Sequence, residues 1–298
     1  MKIGVHLPQW GISAGRSGVL DAARAAEDAG FDSVWVADHV VHPLKSATAY
    51  PYRSGGLPFG PTDGFLEAIT TLAVVAGSTS RIQLGTSVFV LPMREPLLAA
   101  KSLATLDVLS EGRTVVAVGT GWWEEEFAAL QVPFAARGRR LDEQIRILRH
   151  AWNDPAFAFH GEFYDFAELA CLPHPFQLGG VPVLIGGMGT AALRRAGTLG
   201  DGWHAVGANI DQLVAGRPVV DRAARAAGRD PGRITLSTSC GLGRTTEQSI
   251  ERMSALARVG VDHVTLNVGS ASDDVRTLCK EIENFASNVM PELELAKS

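Results

Sequence analysis

Short apolar runs alternate with amphipathic stretches along almost the whole chain. Eight runs rich in Val, Ile and Leu stand at 3–7, 33–36, 82–86, 115–118, 183–185, 203–206, 235–238 and 263–266. Short, near-continuous apolar runs of this kind are what strands covered on both faces require. Between them, apolar residues recur at helical spacing. Leu141, Ile145, Leu148 and Trp152 share one face, and Ile250, Met253, Leu256 and Val259 another. Thr245 and Gln248 precede the second set as a capping box. Val275, Leu278, Ile282, Phe285 and Val289 mark a last helix. Gly30 stands where a C′ glycine would end the first helix, just before the second strand. Eight strand–helix units predict an α/β fold, a (β/α)8 TIM barrel in a single domain over 1–298. An open doubly wound sheet is the competing arrangement. No G-x-G-x-x-G follows the first strand, which weighs against dinucleotide binding.

Two segments exceed ordinary loop length, and such insertions in compact domains are usually functional or disordered. One spans 40–63, after the second strand. Its Pro43, Tyr50, Pro51, Tyr52, Arg53, Phe59 and Pro61 favour an ordered lid over that strand's end. The other spans 157–180, before the fifth strand. With His160-Gly161-Glu162-Phe163-Tyr164 and Pro173-His174-Pro175, it reads as a small antiparallel excursion.

Composition narrows the function classes. The 298 residues carry a net charge of −5, without the basic footprint of a nucleic-acid binder. Nothing in the charge suggests a membrane surface, and no apolar run approaches the length of a membrane helix. Cys171, Cys240 and Cys279 are widely spaced and odd in number, so no disulfide framework is implied. The chain opens on a strand pattern and not on a signal peptide. A reduced, cytoplasmic protein is expected.

A barrel carries its chemistry at the C-terminal ends of its strands. That rule selects His6, Pro8 and Gln9 after the first strand and Asp38-His39 after the second. It selects Thr86-Ser87-Val88 after the third and Gly119-Thr120-Gly121-Trp122 after the fourth. After the fifth come Gly186-Gly187-Met188-Gly189-Thr190, with His204 on the sixth, 237–239 on the seventh, and Asn267 and Gly269 ending the eighth. The fifth-strand glycines serve either a tight turn or an anion, since exposed N–H groups leading into a helix N-terminus bind phosphate. Gly119-Thr120-Gly121 offers the same access next door, and two adjacent Gly-rich ends favour a phosphate-bearing ligand. Asp38-His39 reads either as a helix cap beside a satisfied histidine or as a functional pair able to move a proton near neutral pH. Convergence of His6, His39 and His204 on a metal is the rival chemistry, that of a hydrolase. His6 has no histidine two residues on, and no strand end supplies a carboxylate–histidine ligand set, so no metal is expected. Glu124-Glu125-Glu126 opens a helix, where acids suit the dipole; alternatively one of them reaches the site. Trp122 suits a ring or substrate wall, and Trp123 the core.

These strand-end motifs, in this order, resemble the luciferase-like monooxygenase superfamily. The matching stretches include Ala29-Gly30-Phe31-Asp32-Ser33-Val34-Trp35-Val36-Ala37-Asp38-His39 and Leu84-Gly85-Thr86-Ser87-Val88 with Pro92 and Arg94-Glu95-Pro96. They continue through Ala104-Thr105-Leu106-Asp107, Ser110-Glu111-Gly112-Arg113, Gly119-Thr120-Gly121-Trp122 and Asp201-Gly202-Trp203. Glu126-Phe127, Val132-Pro133-Phe134 and Arg137-Gly138 look like the branch that uses the deazaflavin coenzyme F420. The resemblance implies hydride transfer between coenzyme F420 and a small organic substrate, in a homodimer. An FMN-dependent monooxygenase using reduced FMN and oxygen is the alternative, because both cofactors carry a flat tricyclic ring and a ribityl phosphate. A non-catalytic flavin-binding barrel is a third reading.

The resemblance also implies roles. Asp38 contacts the ring system and His39 lies beside its reactive carbon. Thr86 and Ser87 line the ring pocket, and the Ser87–Val88 bond is a non-prolyl cis peptide whose bulge backs the ring. Gly119, Thr120, Gly121, Gly186, Gly187, Met188 and Gly189 hold the phosphate and side chain, with Thr190 opening the adjoining helix. Trp122 stands where the sugar-phosphate dehydrogenases of the superfamily carry a catalytic glutamate. A glucose 6-phosphate substrate is therefore not expected, and a more apolar substrate surface is.

Overall fold

A computed structural model describes residues 1–52, 55–269 and 273–295; Arg53 of the expected lid lies outside them. All eight expected strands form. They are β1 (Lys2–His6), β2 (Ser33–Val36), β3 (Gln83–Phe89), β4 (Thr114–Val118), β7 (Val183–Gly186), β8 (Gly202–Val206), β9 (Thr235–Gly241) and β10 (His263–Asn267). They pair in parallel and close into a barrel in the order β1-β10-β9-β8-β7-β4-β3-β2. The fold is the expected (β/α)8 barrel. The 157–180 insertion contains the expected antiparallel pair, β5 (Phe157–His160) with β6 (Asp165–Leu169).

The helices lie outside the barrel, among them α1 (Arg16–Asp28), α2 (Ala68–Ala76), α3 (Pro96–Leu109), α4 (Glu124–Ala129) and α5 (Arg137–Asn153). They continue with α6 (Thr190–Leu199), α7 (Ile210–Ala226), α8 (Thr246–Arg258), α9 (Val275–Asn288) and α10 (Met290–Leu295). The local signals act as their chemistry requires. Gly30 takes φ +85°, and the Gly30 and Phe31 N–H groups donate to Glu27 and Ala26, a complete Schellman end to α1. At α8, Thr245 accepts from Gln248 N–H as expected, but the Gln248 side chain takes the Arg244 N–H instead of closing the box. None of the described helices is long and apolar enough to cross a membrane.

Strand alternation sorts the core into two layers. Val34 and Val36 face the helices with Val5, Leu84, Val116 and Ile185, all fully buried. Ser33 and Trp35 face the barrel axis, where small residues make room for the indole. A Cβ on Gly85 would lie 2.5 Å from the Trp35 ring, and one on Gly4 would lie 2.7 Å from Trp35 Nε1. Trp35 stacks on His204 at 5.4 Å and donates to Ser33 Oγ at 2.7 Å. Ser33 Oγ in turn pairs with His263 Nε2 at 2.8 Å. The axis is thus filled by one aromatic plug that packs on Ala117, Leu184, Val88 and Val115 and meets serine and histidine groups on its other sides.

The 40–63 segment contains no helix or strand among its described residues, yet it is fastened. Val40 and Val41 N–H donate to Glu126 Oε1. Ala47 and Thr48 N–H donate to Glu125 Oε1, and Trp123 Nε1 donates to Ser46 Oγ at 2.9 Å. The first turn of α4 is therefore the lid's anchor.

Candidate active site

The end of β2 is held by Gln9, fully buried in the loop after β1. Its amide accepts from Ala37 N–H at 2.5 Å and donates to the Ala37 and Leu66 carbonyls. This clamp fixes the next two residues. Asp38 turns into a two-pronged ion pair with Arg94, at 2.7 and 2.8 Å, and also accepts the Val90 N–H at 2.8 Å. Its carboxylate is a strut tying β2 to the end of β3. His39 instead faces the mouth. Its Nδ1 lies 2.9 Å from Glu126 Oε2, and Glu126 is only 2% exposed. A carboxylate can only accept, so the pair places a proton on Nδ1 and leaves Nε2 without a partner among the described residues. Phe65 and Trp122 meet the imidazole edge-on and fix its plane.

Opposite, β3 breaks register with β4 between Ser87 and Phe89, and the Ser87–Val88 peptide is cis, as the resemblance implied. The Val88 side chain fills the space over two glycines. A Cβ on Gly119 would come within 2.6 Å of it, and one on Gly186 within 2.5 Å. These glycines are thus required by a close packing contact. The expectation that all the strand-end glycines bare their N–H groups needs correction, since Gly119 N–H donates to Phe89 O and Gly187 N–H to His204 O. The Thr120, Gly121, Met188 and Gly189 N–H groups make no backbone hydrogen bond among the described residues, and beyond them the first turn of α6 has no side-chain cap; a Cβ on Gly189 would meet nothing within 4 Å.

Asp38, His39, Ser87, Val88, Gly119, Thr120, Gly121, Trp122, Gly186 and Gly187 line one cavity of about 170 Å³, together with Glu126, Tyr50 and Tyr52. Thr86 does not line it. Neighbours along a strand face opposite ways, and the buried Thr86 hydroxyl donates to Ala117 O at 3.0 Å. Met188, Gly189 and Thr190 also lie outside this cavity; Thr190 borders a groove between α6 and α7. Trp122 forms a wall, stacked at 4.9 Å on Trp123, which is buried. Along Ala37, Tyr50, Ser87 and Val206 the cavity meets a second lobe of about 420 Å³, above β1, β9 and β10.

Beneath both lobes runs a chain of polar contacts, with Ser87 Oγ to His204 Nε2 at 2.7 Å and His204 Nδ1 to Ser237 Oγ at 2.7 Å. Burial pushes the His204 imidazole down to about 3, with smaller contributions from His6 and His263. Burial likewise lowers His6 and His263 to about 4. These rings are uncharged at neutral pH. His39, His6 and His204 do not converge: His39 is paired with Glu126 and His204 with two serines. Among the described residues no cluster of three His, Cys, Asp or Glu is arranged to hold a metal ion.

The architecture and the cluster at its mouth define a class: barrel proteins with a site at the strand C-terminal ends, organised around a bulged third strand. The sequence profile of the luciferase-like monooxygenases matches residues 3–276, and the chain belongs to that family, one of oxidoreductases and monooxygenases. An uncharacterised protein of Mycobacterium tuberculosis is 33% identical over 273 residues, covering 91% of this chain and 94% of that protein. The F420-dependent glucose-6-phosphate dehydrogenase of Kineococcus radiotolerans is 32% identical over 223 residues, covering 72% of this chain and 60% of that one. Two solved structures share the fold. An F420-dependent secondary alcohol dehydrogenase in complex with an F420-acetone adduct superposes with a TM-score of 0.82 at 21% identity, covering 98% of each chain. The monooxygenase RslO1 of Streptomyces bottropensis superposes at 0.79 and 21% identity, covering 98% of this chain and 100% of that one.

Proposed function

We propose that the chain is an F420-dependent oxidoreductase acting on a small organic substrate, with His39 as its proton-transfer residue. The observation that carries this reading is the His39–Glu126 pair on the wall of a cavity backed by the Ser87–Val88 bulge. The residues fit a flat ring with an anionic chain. Val88 and the side-chain-free Gly119 and Gly186 make one wall, and the uncapped first turn of α6 lies beyond Gly187 for a phosphate. When bound, the deazaflavin supplies the hydride donor or acceptor, and the protein supplies orientation and a shaped site. His39 Nε2 takes the hydroxyl proton as an alcohol is oxidised, or returns it in the reverse direction. Glu126 holds Nδ1–H and so keeps Nε2 the basic atom, while Asp38 and Arg94 keep the end of β2 in place. The names of the F420-dependent relatives support this cofactor.

Titration of the purified protein with oxidised F420 and, separately, with FMN tests the cofactor. Micromolar binding of F420 is expected. Binding of FMN with none of F420 would overturn the cofactor assignment in favour of an FMN-dependent monooxygenase. His39→Ala should lower turnover by about 10²–10⁴-fold while leaving the F420 dissociation constant nearly unchanged. Unchanged turnover would remove His39 from the chemistry.

A further inference from the structure

Ser87 stands where the two lobes of the mouth meet, and its hydroxyl is held from below by a buried imidazole. That ring, His204 on β8, is bracketed by two serines. Nε2 lies 2.7 Å from Ser87 Oγ, and Nδ1 lies 2.7 Å from Ser237 Oγ. Stacking on Trp35, with 2° between the planes, fixes the plane of the ring. Burial lowers the imidazole to about 3, so at neutral pH it carries a single proton on one of its two nitrogens. The choice of nitrogen decides what Ser87 offers to a ligand.

Ser237, on β9, is 1% exposed and lines neither lobe. His204 Nδ1 is the only partner of its hydroxyl among the described residues. A buried hydroxyl must place its proton on an acceptor, whereas an idle lone pair costs less. Ser237 therefore donates to Nδ1, the imidazole proton sits on Nε2, and Nε2–H donates to Ser87 Oγ. The Ser87 proton is then left for the mouth. We propose that Ser237 and His204 are positioning residues that make Ser87 a hydrogen-bond donor to a flat ring seated against Val88. The ring itself rests on the redox function proposed above. A ring that takes up a hydride gains electron density at its acceptor atoms, so a fixed donor favours its reduced form. The opposite polarity, with Ser87 donating inward to Nε2, would turn lone pairs toward the ring and remove that preference.

Nitrogen-15 NMR of the histidine-labelled protein without any cofactor reads the polarity directly, with His204 assigned by the signals missing from His204→Phe. A proton on Nε2 and a bare Nδ1 are expected at pH 7; a proton on Nδ1 overturns the proposal. Oxidised and reduced F420 are then titrated separately. Ser87→Ala should lower the ratio of affinities, reduced over oxidised, about tenfold, the scale of one net hydrogen bond and equal to about 30 mV for a two-electron couple. His204→Phe keeps a flat ring on Trp35 without either hydrogen bond. It should lower the ratio severalfold, because the Ser87 proton is then free to turn from the mouth, and should change nothing further in a Ser87→Ala background. His204→Gln, whose amide donates from one atom and accepts at the other, should restore the ratio. A residue that only fills space would lower the melting temperature and weaken both oxidation states alike. An unchanged ratio in Ser87→Ala or in His204→Phe therefore overturns the proposal. Failure to bind F420 in either state overturns the redox reading alone, because the tautomer is read without cofactor.

Discussion

Glu126 does two jobs with two oxygens. Oε1 receives the lid's Val40 and Val41 N–H groups, and Oε2 faces His39 Nδ1. Glu126→Gln separates them, because the amide oxygen can keep the lid contacts while the amide nitrogen meets Nδ1 and disfavours its protonation. Turnover should fall by about 10–100-fold, the usual cost of losing an orienting partner, with F420 affinity and melting temperature little changed. A proportionate loss of melting temperature would instead assign Glu126 to the lid alone. In the sequence, Asp38, His39 and Trp122 were legible because a strand end is a positional rule. Glu126 was visible only as one of three acids opening a helix, where the dipole already explains it. Thr86 was misplaced because motif spacing names residues without saying which face of the strand they take. Gly119 and Gly186 were recognised as necessary, but the reason, the approach of Val88, depends on a tertiary contact that no local pattern carries.

At the scale of elements, the lid owes its order to α4. Glu125 is held down to about 2 by the Thr48 side-chain hydrogen bond and by the Ala47 and Thr48 N–H groups, so at neutral pH it is a fully charged anchor. Its stabilising contribution is complete above the ordinary glutamate value of 4.5 and fades as pH falls toward 2. Glu125→Ala should expose the 40–63 segment to trypsin and chymotrypsin severalfold faster at pH 7, with the barrel's circular dichroism unchanged; limited proteolysis reads this directly. All eight barrel strands were legible because their apolar runs are short, regular and buried on both faces. The six-residue α4 was not delimited from sequence, since a helix this short shows no full period of apolar residues.

Across the whole molecule, the three lowered histidines make the barrel acid-sensitive. Each prefers a proton when unfolded, at the ordinary value of 6.5, and refuses it when folded until pH 3 to 4. The unfolded state therefore binds more protons through that window, and stability falls as pH falls from 6.5. His204→Gln should flatten the dependence by about 1.4 kcal/mol per pH unit between pH 6 and 4, measured by urea unfolding at several pH values. An unchanged slope would mean that His204 titrates normally. This polar interior was the least legible part of the fold. His204 and Ser237 were legible as strand-end positions, but their joining with Ser33 and His263 around Trp35 depends on strand pairing. Trp35 closes the barrel axis, so a molecule held at the mouth rests on a sealed floor and has no passage through the barrel to its other end.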